Sequence, residues 1–441
     1  MTLIELSATE AVGKIRNGEI TSEELVRACL DRIDEFEAAI GAWAHLDADL
    51  ALDQARRADE VHARGLDTGP LHGVPVGVKD IIDTADYPTE NGTVLHAGRT
   101  PSEDAFLVAR LRQAGAVILG KTVTTELAVF TPGKTTNPHD AARTPGGSSS
   151  GSAAAVAAFM APLAVGSQTN GSVIRPASFC GVYGCKPSHG RISRDRVLAQ
   201  SHHLDTMGVF ARSLEDLALI AEVLMVHDDG DSDMRARARP ALSQRLSEAP
   251  PIEPKIAFVR GPVWSRCEEG TMDAFREALD HLGKAADIVN LPSSFDDAHD
   301  IHRTIFCADL AKSFAALYSD GKDKLSANLR ALIEEGQKTL ALEYNSAVER
   351  IAVFNGELEG IFEEYDAILT PSTPGEAPVG LETTGDPAFC TIWTLCGVPA
   401  LNLPLFQGPD GMPLGAQVVS QKGDDARLFR TARWLVESLQ E

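Results

Sequence analysis

The sequence predicts an α/β protein in which a sheet is covered by helices on both faces. Short apolar runs of strand length recur along it: AVIL before Gly120, PLAV before Gly166, IAFV at 256–259, AILT at 367–370 and ALNLPL at 400–405. Between several of them lie stretches with helical spacing, such as AFLVARLRQAG at 105–115 and SLEDLALIAEVLM at 213–225. Two periods alternating over most of a chain are the pattern of a sheet layered between helices. The 441 residues, 44% hydrophobic and 23% charged, have the composition of an ordinary globular protein with a sizeable core.

The elements follow in order. Residues 1–60 read as a helical segment, because Ser7 with Glu10 and Thr21 with Glu24 form capping-box patterns ahead of apolar residues at helical spacing. From Leu71 the period changes. In LHGVPVGVKD, Val74, Val76 and Val78 alternate with Pro75, Gly77 and Lys79, which predicts a strand. Residues 70–225 carry the densest alternation and the motifs below. The charged stretch 228–254, DDGDSDMRARARPALSQRLSEAPPIEP, reads as a surface connection. Alternation resumes over 255–441, so a single domain spanning 1–441 is expected. FCTIWTLC, 389–396, has apolar character at both periods, and its structure is open.

Charge and composition exclude several classes. A formal net charge of −23 opposes nucleic acid, whose phosphates must be neutralised by Lys and Arg, and equally an anionic membrane surface. The longest apolar run, Ala153 to Val165, is interrupted by Pro162 and falls short of the ~20 residues that span a bilayer. MTLIELSATE lacks a basic region followed by an apolar one, so no signal peptide is expected. The seven cysteines form no C-x-x-C pair and no metal-binding spacing. The expectation is a cytoplasmic enzyme with neither metal nor cofactor.

Three motifs compete for the chemistry. GAVILGKT, 115–122, matches the phosphate-loop pattern, but the four residues between its glycines are themselves the strand, so Lys121 simply continues it. GSSSG, 147–151, matches a nucleophile elbow with Ser149 at its centre. That motif requires a preceding strand and a later histidine. NPHDAARTP before it is turn chemistry, and the last histidine of the chain is His302. The third reading needs no histidine. A serine becomes a nucleophile when a base takes its proton, and a desolvated lysine can be that base. Lys79 ends an apolar strand beside Gly77, where burial would lower its pKa, and a neighbouring serine hydroxyl can both accept and donate the proton in transit.

The segments GGSSSGS (146–152), GSQTNGS (166–172) and SFCGVYGCKP (178–187), with Lys79-Asp80 upstream, resemble the signature of the amidase signature family of Ser-Ser-Lys hydrolases. The flanks agree: GKT with a following Glu at 120–126, NP through R-PGG at 137–147, LDTMGVFARSLED at 204–216 and WTLCGVPALNLPL at 393–405, so the resemblance runs over roughly 70 to 420. It implies the amidase signature fold, a mixed β-sheet core covered by helices on both faces. Residue by residue it implies Ser172 as nucleophile, Ser148 as bridging serine in a cis peptide, and Lys79 as base. It further implies an oxyanion hole from the backbone N–H groups of Thr169, Asn170, Gly171 and Ser172, with Ser149 and Gln168 in support.

Some positions depart from the family pattern. Gln168 stands where Asp is usual, Asn170 where Gly is usual, Ser150 where a Gly is usual and Ile81 where Asn is frequent; Arg175 falls one position later than the usual arginine. Asn tolerates a left-handed backbone, so the loop is expected to survive at 170. Trp393 and Phe389 are candidates for an apolar wall of the substrate pocket, against ordinary core packing. His202 and His203 read as loop or surface residues, with a place in a pocket as the alternative. The function implied is hydrolysis of the C–N bond of a small-molecule amide. The alternatives are the amidase subunit of a glutamine-dependent amidotransferase delivering ammonia to a partner, or a carbamate or ureido hydrolase of the same family. A homodimer is left open.

Overall fold

The computed structural model describes residues 2–440. Eleven strands form one sheet: β1 (Trp43–Leu46), β2 (Pro75–Lys79), β3 (Val117–Thr122), β4 (Leu163–Gln168), β5 (Tyr183–Lys186), β6 (Thr206–Ala211), β7 (Ile256–Val259), β8 (Ala286–Val289), β9 (Ala367–Pro371), β10 (Ala400–Gln407) and β11 (Pro413–Val419). Their order across the sheet is β1-β3-β2-β4-β6-β5-β10-β11-β9-β7-β8. The sheet is mixed. β2 pairs parallel with β3 and β4, and β7 with β8 and β9, while the central strands β4, β6, β5, β10, β11 and β9 run antiparallel in succession.

The alternation read from the sequence is a division between two cores. In β3, Ile118 belongs to one apolar cluster while Val117 and Leu119 belong to another on the opposite face. In β2, Val76 and Val78 point into the first cluster. Gly77 lies so close to Thr122, Trp43 and Ala164 that an added Cβ would stand 2.9 Å from Thr122 Cγ2. Both faces are thus covered, by the helices Ala8–Arg16, Phe106–Gln113, Leu214–Leu224 and Asp425–Gln440 on one side and Ser22–Ile40, Ala48–Ala63 and Ser150–Ala157 on the other.

Both capping boxes form, with Ser7 Oγ accepting from Glu10 N–H and Thr21 Oγ1 from Glu24 N–H at 3.1 Å. The 1–60 segment is not wholly helical. β1 lies inside it, and the Glu37 carboxylate accepts the N–H groups of Ala42 and Trp43 where the chain turns into that strand. FCTIWTLC resolves to a helix, Ala388–Leu395, buried along its whole length. The stretch 228–254 is less exposed than its composition suggests, because Arg194 grips Asp231 at 2.7 Å and Asp233 at 2.5 Å and draws that part of the segment onto the body. GAVILGKT forms no phosphate loop: after the turn at Gly115, Val117–Thr122 are β3, and the Lys121 ammonium is buried against Asp80 at 3.2 Å.

Candidate active site

β2 and β4 lie side by side and parallel, with Val78 opposite Val165, so Lys79 emerges at the carboxyl end of β2 beside the last residues of β4. The ends of parallel strands are where open α/β sheets carry their sites. Lys79 is completely buried, and its Nζ donates to Ser148 Oγ at 2.7 Å and to Ser167 Oγ at 2.9 Å. Burial pushes its pKa well below the ordinary lysine value, and the opposing pull of Asp205 is smaller.

Ser148 follows a cis peptide bond from Gly147. Close approach explains the glycines around it. A Cβ on Gly146 would stand 2.7 Å from Pro176 Cα, and one on Gly147 would stand 2.7 Å from Thr384 Cγ2. The Ser149 N–H donates to the Ser172 carbonyl at 3.4 Å, tying the two serine segments together. Ser149 Oγ takes the Ser167 N–H and faces the Ser167 carbonyl, each at 3.2 Å, so its hydroxyl is spent on backbone. Ser172, 8% exposed, precedes the helix Ile174–Cys180.

Residues 168–171 are held by partners far away in the chain. Gln168 Oε1 accepts the Val173 and Ile174 N–H groups at 2.8 and 3.0 Å, capping the start of that helix, and its Nε2 donates to Thr394 Oγ1 at 2.9 Å. His302 Nε2 bonds the Thr169 carbonyl at 3.0 Å, and Thr394 Oγ1 donates to the Asn170 carbonyl at 2.5 Å. In a trans peptide the N–H points away from the C=O. Holding those two carbonyls therefore turns the N–H groups of Asn170 and Gly171 the other way. The Asn170 side chain is anchored as well, accepting from Thr391 Oγ1 at 2.7 Å. Asn170 is not among the residues with positive φ, so its tolerance of left-handed backbone is not what lets it stand there.

Asp205 sits beneath this loop. Thr169 Oγ1 is 2.6 Å from both Asp205 Oδ1 and Gln200 Oε1, and one hydroxyl proton cannot serve two acceptors. Reversing the Gln200 amide would set its oxygen against the Leu127 carbonyl, which its Nε2 now meets at 2.7 Å. Burial raises the Asp205 pKa, while the Thr169 hydroxyl and the Gln200 and Ser201 N–H groups pull it down.

Lys79 and Ser148 are in contact, with Ser172 joined to them through the Ser149 backbone. Ser167, Asp205, His302, Thr391 and Thr394 are additional members of the network that the motifs did not indicate. Trp393 and Phe389 do not form a common apolar wall. Trp393 is packed in the large core beneath the helix Ala298–Ser313, while Phe389 packs with Val263, Cys267 and the Trp264 ring. His202 is half exposed and pairs with Asp233 at 3.0 Å; His203 stacks edge-on against it. Arg175 is buried without a carboxylate partner. Its Nη2 donates to the Gly147 carbonyl at 2.6 Å and to Thr384 Oγ1 at 2.9 Å, while Nε and Nη1 have no partner. No group of His, Cys, Asp and Glu suited to a metal occurs among the described residues.

The family model described as Amidase matches residues 24–429. The glutamyl-tRNA(Gln) amidotransferase A subunit of Salinispora arenicola is 35% identical, over 98% of this chain and 96% of its own length. Its counterpart in Thermobifida fusca is 34% identical, over 100% and 97%. Among solved structures, one described as a vestigial protein complex that reveals the evolutionary origins of an s-triazine catabolic enzyme superposes with a TM-score of 0.92 at 27% identity, covering 98% of both chains. The peptide amidase of Stenotrophomonas maltophilia superposes with a TM-score of 0.86 at 29% identity, over 99% and 97%. With the family model over nearly all its length and relatives above 30% identity end to end, this chain belongs to the amidase signature family, enzymes that hydrolyse the carbon–nitrogen bonds of amides.

Proposed function

We propose that the chain cleaves a small amide through an acyl-enzyme on Ser172, with Lys79 as base and Ser148 as proton relay. The observation that carries this reading is the buried, deprotonation-prone Lys79 Nζ at 2.7 Å from Ser148 Oγ. A neutral amine there accepts the Ser148 proton as Ser148 takes that of Ser172, and Ser172 Oγ attacks the amide carbon. Charge then gathers on the former carbonyl oxygen. The N–H groups turned outward at Asn170 and Gly171, with those of Thr169 and Ser172, form its oxyanion hole, where a single donor is worth about 3–4 kcal/mol in the transition state. The relay returns the proton to the leaving nitrogen, ammonia or amine departs, and water clears the ester by the same route. Ser167, also bonded to Lys79, holds the amine in line with Ser148.

The relatives favour a second reading of the same chemistry. Those at 33–35% identity over nearly the whole chain are named as amidotransferase subunits, which supports glutamine as the amide and a partner protein as the recipient of the ammonia. One experiment separates the two. The purified chain is incubated with glutamine and with a panel of short aliphatic and aromatic amides, carbamates and ureido compounds, and ammonia is measured. Release from a short amide by the chain alone supports an autonomous amidase, whereas release from glutamine alone, raised by a partner, supports the amidotransferase. If wild-type chain and Ser172→Ala react identically, the mechanism is wrong.

A further inference from the structure

The alternating arginines of MRARARP, in the stretch between the two halves of the chain, have no part in the chemistry above. Arg239 pairs with Glu222 at 3.8 Å, but Arg235 and Arg237 line a cavity of about 530 Å³. Arg191 and Lys422 line the same space from two other loops. Four cations thus converge on one cavity in a chain of net charge −23.

Among the described residues, three of the four have no carboxylate paired with them. Of the carboxylates at the cavity, Asp233 is engaged by Arg194 and His202, and Glu359 forms no ion pair among the described residues. Arg191 stands 3.5 Å from Asp425, whose oxygens are already bonded by the Ser188 N–H and hydroxyl at 2.8 Å. Arg235, Arg237 and Lys422 have no carboxylate within ion-pair distance among the described residues. Packing around its ammonium and the nearby arginines hold Lys422 below the ordinary lysine value, although Asp233 pulls the other way. The ammonium rests against Gly397, where an added Cβ would lie 3.1 Å from Nζ. Like charges gathered in this way repel one another unless an anion joins them.

The opposite wall is largely apolar, with Asn355 and Glu359 the polar residues on it. Ile351, Leu358 and Phe362 come from the helix Ala341–Glu364, Leu395 from the end of the helix Ala388–Leu395, and Val398 from the turn before β10. A bare inorganic ion would leave that wall unused. We propose that this cavity binds a small organic anion carrying two negative charges on an apolar or ring-shaped body, with Arg235, Arg237 and Lys422 holding the charge. This site is separate from the Ser172 chemistry and does not depend on it.

Titration calorimetry on the full chain, with phenyl phosphate, inorganic phosphate and phenol as probes, tests the proposal. Phenyl phosphate should bind at least about tenfold more tightly than inorganic phosphate, phenol should not bind detectably, and added salt should weaken the binding. Arg235→Gln combined with Arg237→Gln, and separately Lys422→Met, should each lower the affinity about tenfold or more. Both changes lie outside the catalytic network, so the rate of fluorophosphonate labelling at Ser172 should be unaltered. Equal affinity for the two phosphates, binding undiminished in both variants, or binding of a glutamate-rich peptide in place of every small probe would each overturn it.

Discussion

An ammonium group at the end of β2 would meet two serine hydroxyls and no ionised carboxylate at contact distance, so Lys79 is more stable there without its extra proton. Between its depressed folded value and the ordinary 10.5, the unfolded chain binds the proton that the folded chain refuses. Stability therefore rises with pH across that window and is reduced below it. Lys79→Met should slow fluorophosphonate labelling of Ser172 by about 10²–10⁴-fold, the usual worth of a general base. In thermal denaturation the variant should be the more stable protein at neutral pH, with its advantage shrinking as pH approaches 10.5. Asp205 bears on the same titration. Because Asp205 raises the Lys79 pKa, Asp205→Asn should move the acid limb of the pH–rate profile to lower pH. A limb that stays where it is would show that Asp205 does not act on the Lys79 titration.

Two helices brace the loop that carries Ser172, and neither role could be read from a motif. From Ala388–Leu395 come Thr391 and Thr394, one helical turn apart, and from Ala298–Ser313 comes His302. Thr394→Val removes the hydroxyl that holds the Asn170 carbonyl and leaves Gln168 Nε2 without an acceptor. It should cost about 10²–10³ in kcat, the scale of one oxyanion donor, with KM little changed and with recovery in Thr394→Ser. The Ala298–Ser313 helix is set by contact with Ala327–Gly336, which approaches so closely that a Cβ on Gly336 would stand 1.8 Å from the Cys307 carbonyl oxygen. Gly336→Ala should destabilise the fold by about 1–3 kcal/mol in denaturant titration, the range for overpacking. Local signals such as the two capping boxes, the Val74–Val78 alternation and the Gly-Ser clusters were legible because each is written within a few consecutive residues. Ser167 was not, since its place beside Lys79 follows from β2 and β4 being parallel neighbours, a pairing that neither strand's own residues encode. β1 was hidden for a similar reason: its few residues between two long helices show no period of their own.

Across the whole molecule, one sheet takes strands from the start of the chain, from 70–225 and from 255–441, while 228–254 contributes none. The surplus of 63 acidic over 40 basic side chains is spread over a single body and repels itself. Thermal stability should accordingly rise when sodium chloride is raised from low to moderate concentration, as screening takes effect. The strand order has a consequence in time as well. Asn170 and the Thr394 that fixes its carbonyl are 224 residues apart. At a synthesis rate of about 5–20 residues per second, roughly 10–45 s separate the two at the ribosome. For that interval the nascent chain carries Lys79, Ser148 and Ser172 without the Thr394 hydroxyl that holds the Asn170 carbonyl. On the proposed mechanism, full activity waits until the helix Ala388–Leu395 has been made and packed.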